Sequence, residues 1–265
     1  MGVPGFECER PRLHGEVRDV YRRGSGPAVI VMSEIPGITP QVARFARYVA
    51  DAGFTCYLPQ LFGEPMKPLT LPYSAQTMVR ACISREFRVL AANQSSPIVD
   101  WLRALARHAH AECGGPGVGV VGMCITGNFG LAMMLDAPVI APVLSQPSLP
   151  GGFTAAQRAG LHASPAEIAA AKDKIEHDDA RILGLRFKGD PLCRAERFER
   201  LRDTFGDAFE GIEIDDRHAK KGTALPPHSV LTTHLIDRDG QPTRAALDRT
   251  LAFLGEQLKR SDRGG

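Results

Sequence analysis

The sequence predicts one α/β domain, in which helices cover both faces of a mostly parallel, doubly wound sheet. From residue 28 onward, short apolar runs alternate with amphipathic helical stretches, which is the pattern of repeated strand–helix–strand units. The 265 residues, 43% of them hydrophobic, can bury a large core without disulfides or metal ions. No break in composition and no repeat divides the chain. We therefore expect a single domain over residues 1–265, with an irregular or hairpin-like segment at 1–27 and a frayed tail at 261–265.

Apolar runs bounded by turn residues predict the strands, and apolar residues at helical spacing predict the helices. Gly53 ends the first helix. Ser96 and Pro97 open the third, and Ser164 with Glu167 forms a capping box. The predicted strands are Ala28–Met32, Phe54–Leu58, Val118–Val121, Pro138–Leu144, Arg181–Phe187, Phe209–Ile214 and, with β character, Ser229–Ile236. The predicted helices are Pro40–Ala52, Ala75–Ala92, Pro97–Ala111, a helix from Gly127 to about Leu135, Ser164–His177, Arg194–Phe205 and Thr243–Leu258.

Composition and charge exclude several classes of protein. The net charge is +2, so no strong field recruits nucleic acid or an acidic membrane. No apolar run reaches the roughly 18–20 residues of a membrane span, and the first residues lack a signal-peptide pattern. The six cysteines are irregularly spaced with no Cys-x-x-Cys pair, which argues against structural zinc. We expect a cytoplasmic protein, monomeric or homodimeric, without metal, cofactor, nucleic-acid partner or membrane.

Cys124 lies in the segment Gly122–Gly127, between a predicted strand and a predicted helix. Small residues let the backbone turn tightly there while the central side chain projects outward, as a nucleophile requires. The following helix directs free N–H groups at the site, which stabilise a thiolate and an oxyanion. The alternative is a buried cysteine in a glycine-rich turn. The strand–turn–helix context favours the nucleophile.

A candidate acid and a candidate base follow Cys124 in the chain order of a hydrolase triad. Asp190 comes after the fifth predicted strand, and His228 lies beyond the sixth. The histidine would deprotonate the thiol, and the carboxylate would orient the imidazole. Asp190 could instead serve only its Gly-Asp-Pro turn. His218 and His234 are alternatives to His228, although His234 falls within a predicted β run and is less free to reach the site.

The loop Ser33–Gly37 follows the first predicted strand, and the carboxyl ends of such strands border the ligand crevice. Glu34 would contact the thiol there, or else be an ordinary loop carboxylate. The backbone N–H groups of Ile35 and Ile125 would form an oxyanion hole.

Two arginines, Arg80 and Arg85, fall within the helix that follows a proline-rich loop. Either one could bind a substrate carboxylate. The alternative for each is a position on a solvated helix face.

Four segments of the sequence match a known family pattern. They are Ile30–Ile38, Ala52–Gly63, Val120–Gly127 and His228–Leu231. Together they resemble the dienelactone hydrolase family, which consists of cysteine-dependent members of the α/β-hydrolase fold. The resemblance covers roughly residues 15–258. It is specific because both the glutamate-bearing loop and a cysteine, rather than a serine, at the turn are present.

The resemblance implies a role for each candidate: nucleophile for Cys124, base for His228, acid for Asp190, and oxyanion donation from the backbone of Ile35 and Ile125. It also implies that Glu34 pairs with the resting thiol and releases it when substrate arrives. Members of the family hold a substrate carboxylate with two arginines, and Arg80 or Arg85 matches one of them.

Two residues depart from the family pattern. The position of the second arginine, four residues after the catalytic histidine, is Thr232 here, and Thr126 replaces the usual glycine of the turn. Both departures argue against dienelactone itself as the substrate. Residues 145–180 are longer than a minimal member needs and would form a lid.

We therefore predict a hydrolase that cleaves a small-molecule ester or lactone through a thioester on Cys124. The first alternative is a catalytically silent ligand-binding or regulatory module, because a fold does not fix a function. The second is a redox-sensing role for Cys124.

Overall fold

The computed structural model describes residues 2–83, 97–135, 137–148, 154, 158–223 and 225–259. The strands in these ranges are β1 (Glu7–Glu9), β2 (Arg12–Leu13), β3 (Glu16–Val17), β4 (Val20–Arg23), β5 (Ala28–Met32), β6 (Thr55–Pro59), β7 (Val118–Met123), β8 (Val139–Ser145), β9 (Ile182–Phe187) and β10 (Phe209–Ile214). The helices are α1 (Pro40–Asp51), α2 (Leu71–Ile83), α3 (Pro97–Cys113), α4 (Phe129–Ala132), α5 (Pro165–His177), α6 (Ala195–Phe205) and α7 (Pro242–Leu258). Short 3₁₀ turns cover Cys124–Asn128, Gly206–Ala208 and Asp216–His218.

Eight strands form one sheet in the order β1-β4-β6-β5-β7-β8-β9-β10. Pairing is parallel from β6 through β5, β7, β8 and β9 to β10. The strands β1 and β4 extend the sheet with antiparallel pairing at one side. The prediction of a mostly parallel sheet is confirmed, and the carboxyl ends of its parallel strands meet along one edge.

Helices pack on both faces of this sheet. Gly119 of β7 faces α7, where an added Cβ would lie 2.7 Å from Leu254 Cδ2 and 2.9 Å from Leu258 Cδ1. The pairing register places Arg186 of β9 on the opposite face. There its guanidinium lies 5.5 Å from the ring centroid of Phe198 in α6. Because Gly119 has no side chain, α7 can approach its face of the sheet closely, while α6 covers the other face.

Three segments differ from their predicted structure. The first 27 residues supply two strands of the main sheet and a small β2–β3 hairpin. The helix expected from Gly127 to about Leu135 is a 3₁₀ turn followed by the short helix α4. Ser229–Ile236 forms turns instead of a strand. Its backbone bonds locally, with the His234 N–H donating to the Ser229 carbonyl at 3.0 Å.

Parts of other predicted elements lie outside the described residues. They are the end of the helix expected over Ala75–Ala92, residues 149–153 and 155–157 of the expected lid at 145–180, and the tail at 261–265. Within the expected lid, α5 packs against α4. Among the helices of the described ranges, none has both the length and the apolar character needed to cross a bilayer.

Arg103 connects three helices on one face of the sheet. From α3 it donates through Nε to the Ala132 carbonyl of α4 at 2.9 Å, and through Nη2 to Glu167 Oε1 of α5 at 2.6 Å. Glu167 also accepts the Ser164 N–H at 2.7 Å as part of the predicted capping box. The Arg103 and Glu167 side chains are only 8% and 3% exposed, so this ion pair is shielded from water.

Replacement of Arg103 by methionine is expected to lower the free energy of unfolding by about 3–5 kcal/mol, because it leaves the Glu167 charge buried without its partner. Urea unfolding followed by circular dichroism measures the change. The matched control is the double variant Arg103→Met/Glu167→Gln, which removes the orphaned charge and is expected to recover part of the loss. Equal destabilisation in the single and double variants would contradict this role for the pair.

Candidate active site

Cys124 is the first residue of the 3₁₀ turn that directly follows β7, and its backbone is left-handed, with a φ of 57°. This conformation costs a non-glycine residue about 1–2 kcal/mol, so the surrounding structure must hold it. Gly122 permits it, because a Cβ there would lie 2.2 Å from the Thr126 carbonyl oxygen. The thiol itself is partly exposed. The turn thus presents the sulfur at the sheet edge, as the sequence predicts.

Thr126 fixes the same turn by a cross-link to the neighbouring strand. Its buried Oγ1 accepts the Met123 N–H at 2.9 Å and lies 3.0 Å from the Met32 carbonyl, to which it can donate. Met32 is the last residue of β5 and leads into the loop Ser33–Gly37. The threonine in place of the turn's usual glycine therefore ties the cysteine turn to that loop.

Asp190 and His228 form a buried hydrogen-bonded pair at this edge. His228 Nδ1 and Asp190 Oδ2 are 2.7 Å apart, and both side chains are shielded from solvent. The second carboxylate oxygen, Oδ1, accepts the Leu192 N–H at 2.9 Å. Asp190 therefore serves its own turn and orients the imidazole of His228 at the same time. Because a carboxylate only accepts, Nδ1 of His228 carries a proton.

The two alternative histidines lie elsewhere. His218 ends the 3₁₀ turn after β10, where its Nε2 accepts from Arg217 Nε at 3.2 Å. His234 is buried, and its Nδ1 accepts the N–H groups of His228 and Ser229. Of the three histidines, His228 is the one whose ring pairs with Asp190.

The pKa of His228 is set by burial and by two neighbouring groups, Cys124 and Asp190. Burial lowers its pKa, but the Cys124 sulfur and the Asp190 carboxylate outweigh this and hold the pKa well above its ordinary value. Its Nε2 is buried, and since Nδ1 is taken by Asp190, Nε2 is the ring nitrogen that interacts with the Cys124 sulfur. This nitrogen is therefore placed to exchange a proton with the thiol or with a group that enters beside it.

Ser148 contacts the thiol, a contact that the sequence did not indicate. Its hydroxyl lies 3.4 Å from Cys124 Sγ and 3.0 Å from the Gln146 carbonyl oxygen, and its one proton can go to either acceptor. Its N–H donates to the Cys124 carbonyl at 3.1 Å. The residue is 2% exposed. The position of Ser148 just beyond the carboxyl end of β8 could have indicated this contact, because residues at such positions border the ligand crevice.

Glu34 has other partners than the thiol with which it was expected to pair. Its Oε2 accepts from Ser229 Oγ at 2.6 Å and from Gln146 Nε2 at 3.3 Å. Its Oε1 accepts from Thr232 Oγ1. The carboxylate is 3% exposed, and these three neutral donors satisfy it. The Ser148 hydroxyl, and not the Glu34 carboxylate, is the side-chain oxygen that lies within hydrogen-bond distance of Cys124 Sγ among the described residues.

The remaining predicted site residues are placed as follows. Ile35 follows β5 and Ile125 follows Cys124, so their N–H groups lie at the ends of two adjacent parallel strands. Arg80 belongs to α2, but its side chain lies outside what the structure describes, as does the whole of Arg85. The expected carboxylate clamp is therefore not described.

One group of potential metal ligands occurs in the described ranges, and it lies away from this site. Glu9, His108 and Glu112 bring their ligand atoms within 4.8 Å of one another. Arg22 Nη1 lies 3.3 Å from Glu9 Oε1 and 3.8 Å from Glu112 Oε2, so both carboxylates already pair with an arginine. Glu112 stands near the start of β7, at the opposite sheet edge from Cys124.

Comparison with known sequences identifies relatives of the chain. The model of the dienelactone hydrolase family matches residues 18–150, just over half of the chain. The Saccharomyces cerevisiae protein named "Putative carboxymethylenebutenolidase" is 28% identical over 119 residues. That alignment covers 45% of this chain and 42% of the yeast protein, so the chain spans about two-fifths of the length of this curated relative.

Solved structures share the fold at low sequence identity. A "Putative Dienelactone Hydrolase" from Klebsiella pneumoniae has a TM-score of 0.64 at 18% identity, covering 95% of this chain and 98% of that one. Dienelactone hydrolase from Anabaena variabilis has a TM-score of 0.58 at 12% identity, covering 96% and 99%. These structures, with the mostly parallel sheet, show that the chain has the α/β-hydrolase fold, and the match of the family model over residues 18–150 shows that it belongs to the dienelactone hydrolase family.

Proposed function

We propose that the protein hydrolyses a small ester or lactone through a covalent thioester on Cys124. The observation that carries the proposal is the buried His228–Asp190 pair, 2.7 Å apart, at the sheet edge that also presents Cys124. A nucleophile, a base and an orienting acid at one edge are what acyl transfer requires. The roles of the other residues follow from their contacts with these three.

In the first half-reaction, the proton of the Cys124 thiol rests on His228 Nε2, which the raised pKa of this histidine favours, and the sulfur attacks the ester carbonyl. The carbonyl oxygen becomes an oxyanion, which the N–H groups of Ile35 and Ile125 would stabilise. Collapse of this intermediate breaks the bond to the alkoxide, which leaves with the proton from His228. The acyl group remains on Cys124 as a thioester.

In the second half-reaction, His228 takes a proton from water, and the resulting hydroxide attacks the thioester carbonyl. The carbon–sulfur bond breaks, the carboxylic acid leaves, and the sulfur regains its proton. Asp190 stabilises the imidazolium that forms in each half-reaction. Ser148, by donating to the sulfur, would hold the thiolate toward the carbonyl.

We further propose that the preferred acyl group carries no charge. Glu34 is 3% exposed and accepts three hydrogen bonds from neutral groups, so an ionised carboxylate there would be a buried negative charge just before Ile35. A second negative charge within about 8 Å costs about 2 kcal/mol at an effective dielectric constant of about 20. Thr232 supplies a hydroxyl where an arginine would have supplied a compensating charge. The competing proposal is that Arg80 or Arg85 binds a substrate carboxylate.

The reaction likewise needs a reduced thiol, and Cys124 is free in the structure. A reducing compartment such as the cytoplasm suits this chemistry, and we propose that the protein acts there.

Cys124→Ala is expected to abolish hydrolysis of p-nitrophenyl acetate, because the attacking sulfur is gone. Cys124→Ser is expected to lose at least about 100-fold in kcat, since a hydroxyl needs stronger base assistance than a thiol. Release of p-nitrophenol measures both. The matched control is Cys8→Ser, which alters an exposed free cysteine and should leave turnover unchanged. Unchanged turnover in Cys124→Ala would contradict the mechanism. If the unaltered protein shows no turnover but its Cys124 thiol reacts with peroxide, the redox-sensing role is favoured.

The imidazole of His228 is expected to stay protonated well above the ordinary histidine pKa of about 6.5. Because the Cys124 sulfur and the Asp190 carboxylate raise this pKa, Cys124→Ala and Asp190→Asn are each expected to lower it. Titration of ¹⁵N-histidine-labelled protein by NMR measures the pKa in all three proteins. An unchanged His228 pKa in both variants would mean that neither Cys124 nor Asp190 raises it.

The protein is expected to prefer p-nitrophenyl butyrate over mono-p-nitrophenyl succinate, a similar ester with a free carboxylate, by about tenfold or more in kcat/KM. Glu34→Gln removes the charge but keeps the shape, so the ratio should approach one while turnover of the neutral ester persists. A preference for the succinate ester would favour the arginine clamp. Loss of both activities in Glu34→Gln would favour a direct role of Glu34 at the thiol.

A further inference from the structure

His234 is a fully buried residue that the proposed reaction does not use, yet it contacts the backbone of the proposed base. Its side chain lies in the turn region after His228, and the residue is 1% exposed. Nδ1 accepts the Ser229 N–H at 3.1 Å and the His228 N–H at 3.4 Å. One ring nitrogen thus receives the two backbone donors at and next to His228.

The other ring nitrogen fixes the tautomer of His234. Nε2 lies 3.0 Å from Thr223 Oγ1 and 3.2 Å from the Leu225 carbonyl. Because Nδ1 accepts, the proton of the neutral ring is on Nε2, facing these two oxygens. Burial lowers the pKa of His234, which keeps the ring neutral and Nδ1 available as an acceptor.

The backbone N–H, the carbonyl and the ring of His234 each make a further contact. Its N–H donates to the Ser229 carbonyl at 3.0 Å, and its carbonyl accepts the Lys220 N–H at 2.9 Å. Its ring stands edge-on to Phe187, with centroids 6.0 Å apart and planes at 77°. Phe187 ends β9, and its carbonyl accepts the Asp190 N–H at 3.3 Å. His234 therefore contacts both the segment that bears the base and the strand that leads into the turn bearing the acid.

We infer that His234 is a positioning residue, which holds the backbone of His228 so that its ring stays aligned with Asp190 and Cys124. This inference rests on the proposed function for its kinetic consequence. A misplacement of about 1 Å in a catalytic group can cost about 100-fold in rate. Since His234 itself does not touch the reacting atoms, its loss should lower kcat and leave KM within about twofold.

Two neutral, similarly sized variants separate the roles of the ring nitrogens. Asn places its Oδ1 where Nδ1 stands and can still accept the two N–H groups, whereas Gln places its amide near Nε2 and leaves those groups without their acceptor. We expect His234→Gln to lose about 10- to 100-fold in kcat, and His234→Asn to retain activity within about threefold of the unaltered protein. Both are measured with p-nitrophenyl butyrate, alongside the thermal midpoint of each variant.

Equal losses in the two variants, no loss in either, or a change confined to KM would each overturn the inference. A second measurement does not depend on turnover or on the stability of a variant. The ¹⁵N NMR spectrum of the unaltered protein near neutral pH should show His234 with its proton on Nε2, and the Nδ1-protonated tautomer would overturn the inference. In His234→Gln, but not in His234→Asn, the His228 Nδ1–H signal should shift or broaden. Failure of the ester hydrolysis assay alone would count against the proposed function and not against this placement.

Discussion

The site depends on one strained turn, the left-handed backbone of Cys124 at the carboxyl end of β7. Such a backbone persists only where its surroundings fix it. Gly122 removes the collision that a side chain would make with the turn, and Thr126 ties the turn to Met32 of β5. The sulfur, the turn amide at Ile125 and the loop that carries Ile35 are therefore positioned together. Parallel pairing of β5 and β7 makes this cross-link possible, because both strands end at the same edge.

A buried carboxylate organises the other half of the site. Glu34 accepts hydrogen bonds from Gln146, which follows β8, and from Ser229 and Thr232, which follow His228. Two segments that are distant in sequence from Glu34 thus meet on its carboxylate, and the loss of any donor would leave a buried oxygen with fewer partners. The segment bearing His228 is held from one side by Glu34 and from the other by His234. The donors around Glu34 are all neutral, and this is the basis of the proposed preference for an uncharged acyl group.

Periodicity was enough to predict the sheet and most of its helices, because buried parallel strands read as continuous apolar runs and packed helices as amphipathic ones. The turn at Cys124 was predictable for a similar reason, since its glycines are local. Which histidine pairs with Asp190 was not predictable from the residue pattern. His218 and His228 both lie beyond the same strand, and the path of a long loop cannot be followed from residue types. The partners of Glu34, the contact of Ser148 and the role of His234 depend on tertiary contacts. Local hydrogen bonding in 229–236 overrode its β propensity.

The central claim is that Cys124 carries the acyl group, and direct capture of that intermediate tests it. Wild-type protein mixed with p-nitrophenyl acetate and quenched in acid within milliseconds can be measured by intact mass, then digested to locate the added group. The account predicts one acetyl group, on the peptide that contains Cys124, which disappears as turnover ends. Hydrolysis that proceeds without any acylated protein, or with the acetyl group on another residue, would contradict it.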